Sequence, residues 1–145
     1  MKIPIYYIDA FTDKLFSGNP AAVIFSDIND SDLMQKIAQE NNLSETAFIR
    51  EDSGKFFIRW FAPSCEIDLC GHATLASAFV YFNFINQSAN EFIVHSKVNG
   101  PLSVSSSKDL LLLDFPKDTL SLNSMHNEIS EVLGITPIEL YEGRD

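Results

Sequence analysis

The chain has 145 residues, 46% of them hydrophobic, with twelve phenylalanines and a formal net charge of −10. That length fits one ordinary domain with a well-filled core. The acidic balance excludes sequence-independent binding to nucleic acid or to acidic membranes, both of which need clustered Lys and Arg. Ala73 to Ile85, the longest apolar stretch, is too short for the roughly 20 residues of a membrane span. The opening Met1–Asp9 suits a first strand better than a signal peptide, because Asp9 interrupts its apolar run. Cys65 and Cys70 are the only cysteines, so reduced thiols and a cytoplasmic location are expected rather than a disulfide scaffold.

In chain order, β-branched and aromatic runs predict strands near Lys2–Asp9, Ala21–Phe25, Thr46–Glu51, Lys55–Phe61, Glu91–Ser96, Leu102–Ser106 and Leu110–Phe115. Turns at Asp52-Ser53-Gly54, Asn99-Gly100 and Ser106 to Asp109 make much of this sheet antiparallel. A helix over Asp32–Asn41, capped by Asp30 or Ser31, turns Leu33, Met34, Ile37 and Ala38 inward. A second helix, about His72 to Phe84, has almost no polar face and must be surrounded, so the sheet should curl around it. A third, Ser124–Leu133, stops at Gly134 and precedes a strand-like stub at Ile138–Tyr141. The composition changes near Phe115-Pro116. The expected division is residues 1–118 as an α+β domain, curved mixed or antiparallel sheet around a central helix, and residues 119–145 as the opening of a second.

Chemistry concentrates in Pro63 to Thr74. Gly71 stands where the apolar helix begins, and first-turn amides lack internal partners and carry the positive end of the dipole. Such a terminus can cradle a carboxylate or a developing oxyanion. Equally, Gly71 packs the helix start and His72 is a satisfied near-core histidine. Glu45 opens a strand whose Ala47 and Ile49 face the core, and a carboxylate at the edge of a dry pocket suits general acid or base work. Most glutamates at strand starts are instead solvated. Cys70 adjoins the helix N-terminus, which is expected to lower its pKa and make it a candidate thiol base or nucleophile; an inert buried cysteine is the commoner outcome. Cys65, Cys70 and His72 match no common zinc spacing, so no metal is expected.

Several of these blocks carry a resemblance. Asp9-Ala10-Phe11-Thr12 with Phe16 to Val23, Ser44-Glu45-Thr46-Ala47-Phe48, Arg59 to Pro63 with Glu66 to Ala76, and Leu113-Asp114-Phe115-Pro116 resemble, in the same order, the phenazine biosynthesis-like (PhzF) family. The resemblance implies the diaminopimelate epimerase-like fold: two similar α+β halves, each a curved sheet around a central helix, with the active site between them. It implies a cofactor-independent isomerase acting on a small carboxylate-bearing carbon acid. Glu45 would be its acid/base, Gly71 and His72 would line the substrate site, and Asn19 would shape the loop at the cleft. It implies a homodimer, and a chain of about twice this length whose second half completes the site. The 145 residues alone are then expected to have little or no activity, because a half-site open to water has a higher effective dielectric. Two alternatives stay open: a non-catalytic binding or assembly module, and a thiol-dependent epimerase using Cys70.

Overall fold

The computed structural model describes residues 2–143, excepting the side chains of 126 and 127. The chain divides into two compact units, residues 1–115 and 116–145. The first unit is a mixed sheet curled into a half-barrel with helices, an α+β arrangement. Its strands are β1 (Tyr6–Ala10), β2 (Asn19–Phe25), β3 (Glu45–Asp52), β4 (Lys55–Phe61), the short β5 (Glu66–Ile67), β6 (Glu91–Ser96), β7 (Gly100–Ser107) and β8 (Leu110–Asp114). The order across the sheet is β1-β2-β3-β4-β6-β7-β8, with β5 paired to β4 beside β6.

Two neighbouring pairs are parallel, β2 with β3 and β4 with β6; the others are antiparallel. Parallel neighbours need a crossover, and each pair has a helix for it. Helix α1 (Ser31–Asn41) joins β2 to β3, and α2 (Gly71–Val80) lies between β4 and β6. They cover opposite faces. Met34 and Ala38 of α1 pack with Ile24, Phe48 and Phe61, whereas Ala73, Ala76, Ala78 and Val80 of α2 pack with Val23, Ala47, Ile49 and Trp60. Covering on both faces explains why Ala21–Ile24 and Thr46–Ile49 are buried without alternation. In β6 only alternate residues, Phe92 and Val94, are fully buried, because its other face is open.

Helix α2 packs against β1, β2 and β3 and also against β8 at the far edge of the sheet, so the strands curl around it. Its enclosure is incomplete. The α-helix stops at Val80 and continues as a π-turn, Tyr81–Ile85, closed by Asn86 N–H to the Tyr81 carbonyl at 2.8 Å. Phe79, Phe84 and Ile85 are exposed. The expectation that the helix is surrounded on all sides therefore fails along one stripe. Small residues (Ala73, Ala76, Ala78) take the inner positions, and the ring of Tyr81 is drawn inward to stack on Phe92 at 4.3 Å.

Helix ends follow local chemistry. Asp30, not Ser31, caps α1, accepting from Asp32 N and Leu33 N, while Ser31 Oγ accepts from Arg59. Leu33, expected to face inward, is exposed. The hairpin between β3 and β4 places Ser53 and Gly54 at φ 53° and 76°, the pair of left-handed conformations that a two-residue turn requires. β1 begins at Tyr6 rather than Lys2, since Pro4 has no amide hydrogen for a ladder.

The second unit pairs β9 (Ser121–Leu122) with β10 (Tyr141–Glu142) and carries helix α3 (His126–Leu133), ending at Gly134 with φ 69°. Its Val132, Leu133, Ile135 and Ile138 are exposed. Among the described residues no helix is long and apolar enough to cross a membrane.

Ala73 has no exposed surface in α2. Ala73→Leu should overpack the interior and cost about 1–3 kcal/mol in denaturant unfolding. Phe79→Ser, on the exposed stripe, should cost distinctly less; equal losses would mean that α2 is not gripped on its alanine face.

Candidate active site at the start of helix α2

Glu45 owes its place to how α1 ends. Asn42 adopts a left-handed conformation (φ 49°) and its N–H reaches the Ala38 carbonyl, stopping the helix. Asn41 Nδ2 donates to Thr46 Oγ1 at 3.1 Å and Asn41 Oδ1 accepts from Tyr7 Oη at 3.2 Å, fixing the entry to β3. Side chains alternate along a strand. Thr46 and Phe48 turn towards α1, so Glu45 shares with Ala47 and Ile49 the face towards α2.

The start of α2 is held from the other side. Arg59 grips Glu66 with two hydrogen bonds, Nε to Oε1 at 2.7 Å and Nη2 to Oε2 at 2.6 Å. These bonds hold the Glu66 carboxyl below its ordinary pKa and raise that of Arg59. Asn99 Nδ2 donates to the Asp68 carbonyl at 2.8 Å, tying the β6–β7 turn to the segment before Cys70. Cys70 is the N-cap in extended conformation, with no side-chain cap; its carbonyl accepts from Thr74 N at 3.2 Å and from Thr74 Oγ1.

Three side chains converge there. Glu45 Oε2 lies 3.0 Å from His72 Nε2, and Cys70 Sγ lies 3.4 Å from His72 Nδ1. The Glu45–His72 approach is a close contact without hydrogen-bond alignment, since both atoms are buried and neither makes a directed hydrogen bond. The thiol reads differently from the sequence expectation. Burial, chiefly, pushes Cys70 up from an ordinary 9.0 to about 12, and the charge of Glu45 adds to the rise. The amides of Ala73 and His72 act in the expected downward direction but are outweighed. A lowered thiol pKa is thus corrected to a raised one.

The other named residues fall outside this cluster. Gly71 faces the Phe115 ring, where an added Cβ would stand 3.3 Å from Cε2; its smallness serves packing against that ring. Asn19 begins β2, two positions before Ala21, the register partner of Glu45, and is half-buried. It follows a loop at the same end of the sheet. There Phe11 and Phe16 hold left-handed φ of 65° and 62°, and Phe16 N donates to Asp9 Oδ2 at 3.0 Å. Phe11, Leu15 and Phe16 are 74%, 83% and 94% exposed. Sequence reading missed that loop's apolar surface, as it missed the Asn99 tether: neither has a local signature beyond its own residues. Cys65 is exposed and stands outside the cluster. A cavity of about 170 Å³ lies in the gap along β4 between β5 and β6, lined in part by Arg59, Trp60, Glu66 and Lys97, and by none of Glu45, Cys70 or His72.

A curled mixed sheet around an apolar helix, with a carboxylate, an imidazole and a thiol at the helix start, has the diaminopimelate epimerase-like fold. The sequence profile of the phenazine biosynthesis-like proteins matches residues 8–131. An uncharacterized isomerase of Halalkalibacterium halodurans is 43% identical over the whole chain, which covers 55% of that relative. The human phenazine biosynthesis-like domain-containing protein is 46% identical over 80% of the chain and 43% of its own length. The crystal structure of a PhzF-family protein from Enterococcus faecalis superposes with a TM-score of 0.89 at 43% identity, covering all of this chain and 56% of that one. A predicted epimerase from Pseudomonas aeruginosa shares the fold at 18% identity (TM-score 0.71), covering 93% of this chain and 51% of that one. The chain belongs to the phenazine biosynthesis-like, or PhzF, family. It spans about half the length of these relatives.

Exposed Cys65 should react readily with an alkylating reagent at neutral pH, while Cys70 stays protected until strongly alkaline pH. Removing the negative charge, as in Glu45→Gln, should bring the onset for Cys70 to lower pH. Between pH 9.0 and about 12 the folded chain keeps a thiol proton that the unfolded chain loses. Stability should therefore fall as pH rises through that window, and Cys70→Ala should remove the Cys70 share of the fall. Peptide mass mapping of the two alkylation profiles checks the order; equal rates at Cys65 and Cys70 would contradict it.

Proposed function

We propose that this chain forms one half of a cofactor-independent isomerase that moves a proton on a small carbon acid bearing a carboxylate. Residues 1–118 would supply Glu45 and the start of α2, and residues 119–145 would open the second half. The observation that carries the reading is the placement of Glu45 Oε2 at 3.0 Å from His72 Nε2, beside the first turn of a largely buried helix. Glu45 takes a proton from the carbon next to a carboxylate or carbonyl. The carbon–hydrogen electron pair moves onto that group's oxygen as an enolate-type anion. First-turn amides and His72 hold the new charge, and Glu45 returns the proton at another position of the substrate. Proton transfer and charge stabilisation suffice for this chemistry, so it calls on no cofactor or metal. Gly71 and Asn19 shape the edges of the substrate site in this reading, through the packing at the helix start and the loop before β2. Named isomerases among the relatives support it.

The thiol alternative has less support, because a thiol at about pKa 12 is a poor base near neutrality. The assembly alternative has one specific observation in its favour: the exposed Phe11, Leu15 and Phe16 at the same end of the sheet as Glu45. Both functions can share that surface, since a half-site needs a covering partner, whether a second half or a second copy in a homodimer. A cytoplasmic location accords with this chemistry.

In the complete protein Glu45→Gln should lower turnover by about 10²–10⁴-fold, with the far-ultraviolet circular dichroism unchanged. Turnover is followed as deuterium uptake from D₂O into a panel of small unsaturated or amino carboxylates. Cys70→Ser should leave uptake nearly intact. Wild-type uptake in Glu45→Gln together with loss in Cys70→Ser would transfer the role to the thiol.

A further inference from the structure

The proton-transfer chemistry leaves one buried nucleophile without a task. The Cys70 side chain makes no cap hydrogen bond to α2 and instead meets one edge of the His72 ring, while Glu45 meets the other edge. Sγ stands 3.4 Å from Nδ1, and Oε2 stands 3.0 Å from Nε2. We propose that Cys70 is a positioning residue: its S–H donates to His72 Nδ1 and so holds the neutral ring in the tautomer whose proton is on Nε2, on the side of Glu45.

A neutral imidazole has one N–H and one lone pair, so the groups facing its two nitrogens select the tautomer. A lone pair on Nε2 would stand 3.0 Å from a carboxylate oxygen, setting two buried acceptors against each other. A proton on Nε2 turns that repulsion into attraction even without full alignment. Nδ1 is then the acceptor, and the group in reach of it is a thiol. Burial pushes the Cys70 thiol up to about 12, so it has a hydrogen to give. The reverse assignment, Nδ1–H donating to sulfur, is crowded, because Sγ already accepts from the backbone amides of His72 and Ala73. A doubly protonated ring meets the same obstacle. Glu45 also attracts the thiol proton, but the directed contact of Sγ is with Nδ1. Thr74 fixes the Cys70 carbonyl through both its N–H and its hydroxyl, so the start of α2 itself sets the geometry of the pair.

With Nδ1 engaged and Nε2 protonated, His72 does not compete for the proton that Glu45 carries, and its N–H remains available to the anion formed. That consequence rests on the acid/base reading of Glu45; the hydrogen bond itself does not. Serine keeps a donor at this position, in line with the small effect expected of Cys70→Ser on uptake.

The S–H stretching band and the imidazole nitrogen resonances read the two ends of the contact. In the reduced Cys65→Ser chain only Cys70 contributes an S–H band. It should lie at lower wavenumber than the band of the Cys70→Ser chain, which reports the exposed thiol of Cys65. His72→Phe should move the Cys70 band up to that free-thiol position, and Glu45→Gln should move it less. At mildly alkaline pH the nitrogen spectrum should show His72 with a protonated Nε2 and a lone pair on Nδ1. Cys70→Ala should displace that Nδ1 resonance and leave those of the other two histidines in place. A Cys70 band at the free-thiol position, a band unmoved by His72→Phe, a larger displacement in Glu45→Gln than in His72→Phe, or a proton on Nδ1 would each overturn the proposal. Should His72→Phe fail to fold, the nitrogen spectra decide, and an Nδ1 resonance unmoved in Cys70→Ala overturns it. None of these spectra depends on turnover, and the deuterium uptake of Glu45→Gln depends on none of them, so either idea can fail without the other.

Discussion

Helix α2 has no polar face to give to water, and the strands that bury its alanine side dictate where its first turn comes to rest. Hydrophobic burial of that side favours a sheet that curls from β1 to β8 around one helix. The first turn of α2 is then carried to the end of the sheet where β3 begins. Because β3 alternates, its opening residue points at that turn. Glu45 meets His72 as a geometric consequence of burying alanines and valines further along both elements.

The cluster itself is held against ordinary polar preferences. A thiol is buried beside a carboxylate, and its proton is retained to about pH 12 because the ionised form would be both desolvated and repelled. A carboxylate oxygen and an imidazole nitrogen are buried close together without aligned hydrogen bonds. The neighbouring loop holds two phenylalanines at left-handed backbone angles, which costs of order 1–3 kcal/mol each. Unsatisfied polar atoms and backbone strain at one end of one sheet, with a well-packed interior behind them, are the pattern expected where a ligand or partner surface completes the arrangement.

The chain spans about half the length of its relatives. Phe11, Leu15 and Phe16 lie exposed in the loop before β2, at the end of the sheet where β3 begins, and the unit of residues 116–145 exposes Val132, Ile135 and Ile138.

Much of this was legible from residue order. Period-two runs and turn residues placed β4 and β6 at their observed bounds and the other main strands within a few residues, and the Ser53-Gly54 hairpin is determined by which residues tolerate positive φ. The apolar composition of residues 72–84 announced a helix wrapped by sheet. Local sequence could not announce that Phe79 and Phe84 escape that wrapping, since exposure depends on where the neighbouring strands end. Nor could it give the sign of the shift at Cys70: helix position lowers a thiol pKa, burial raises it, and burial is a property of the assembled interior. Glu45 and His72 lie far apart in the chain and meet only through the pairing of β2 with β3 and the packing of α2 on both. Residue types and local periodicity fixed the elements; which side chains share a few ångströms was decided by long-range burial, which no local window contains.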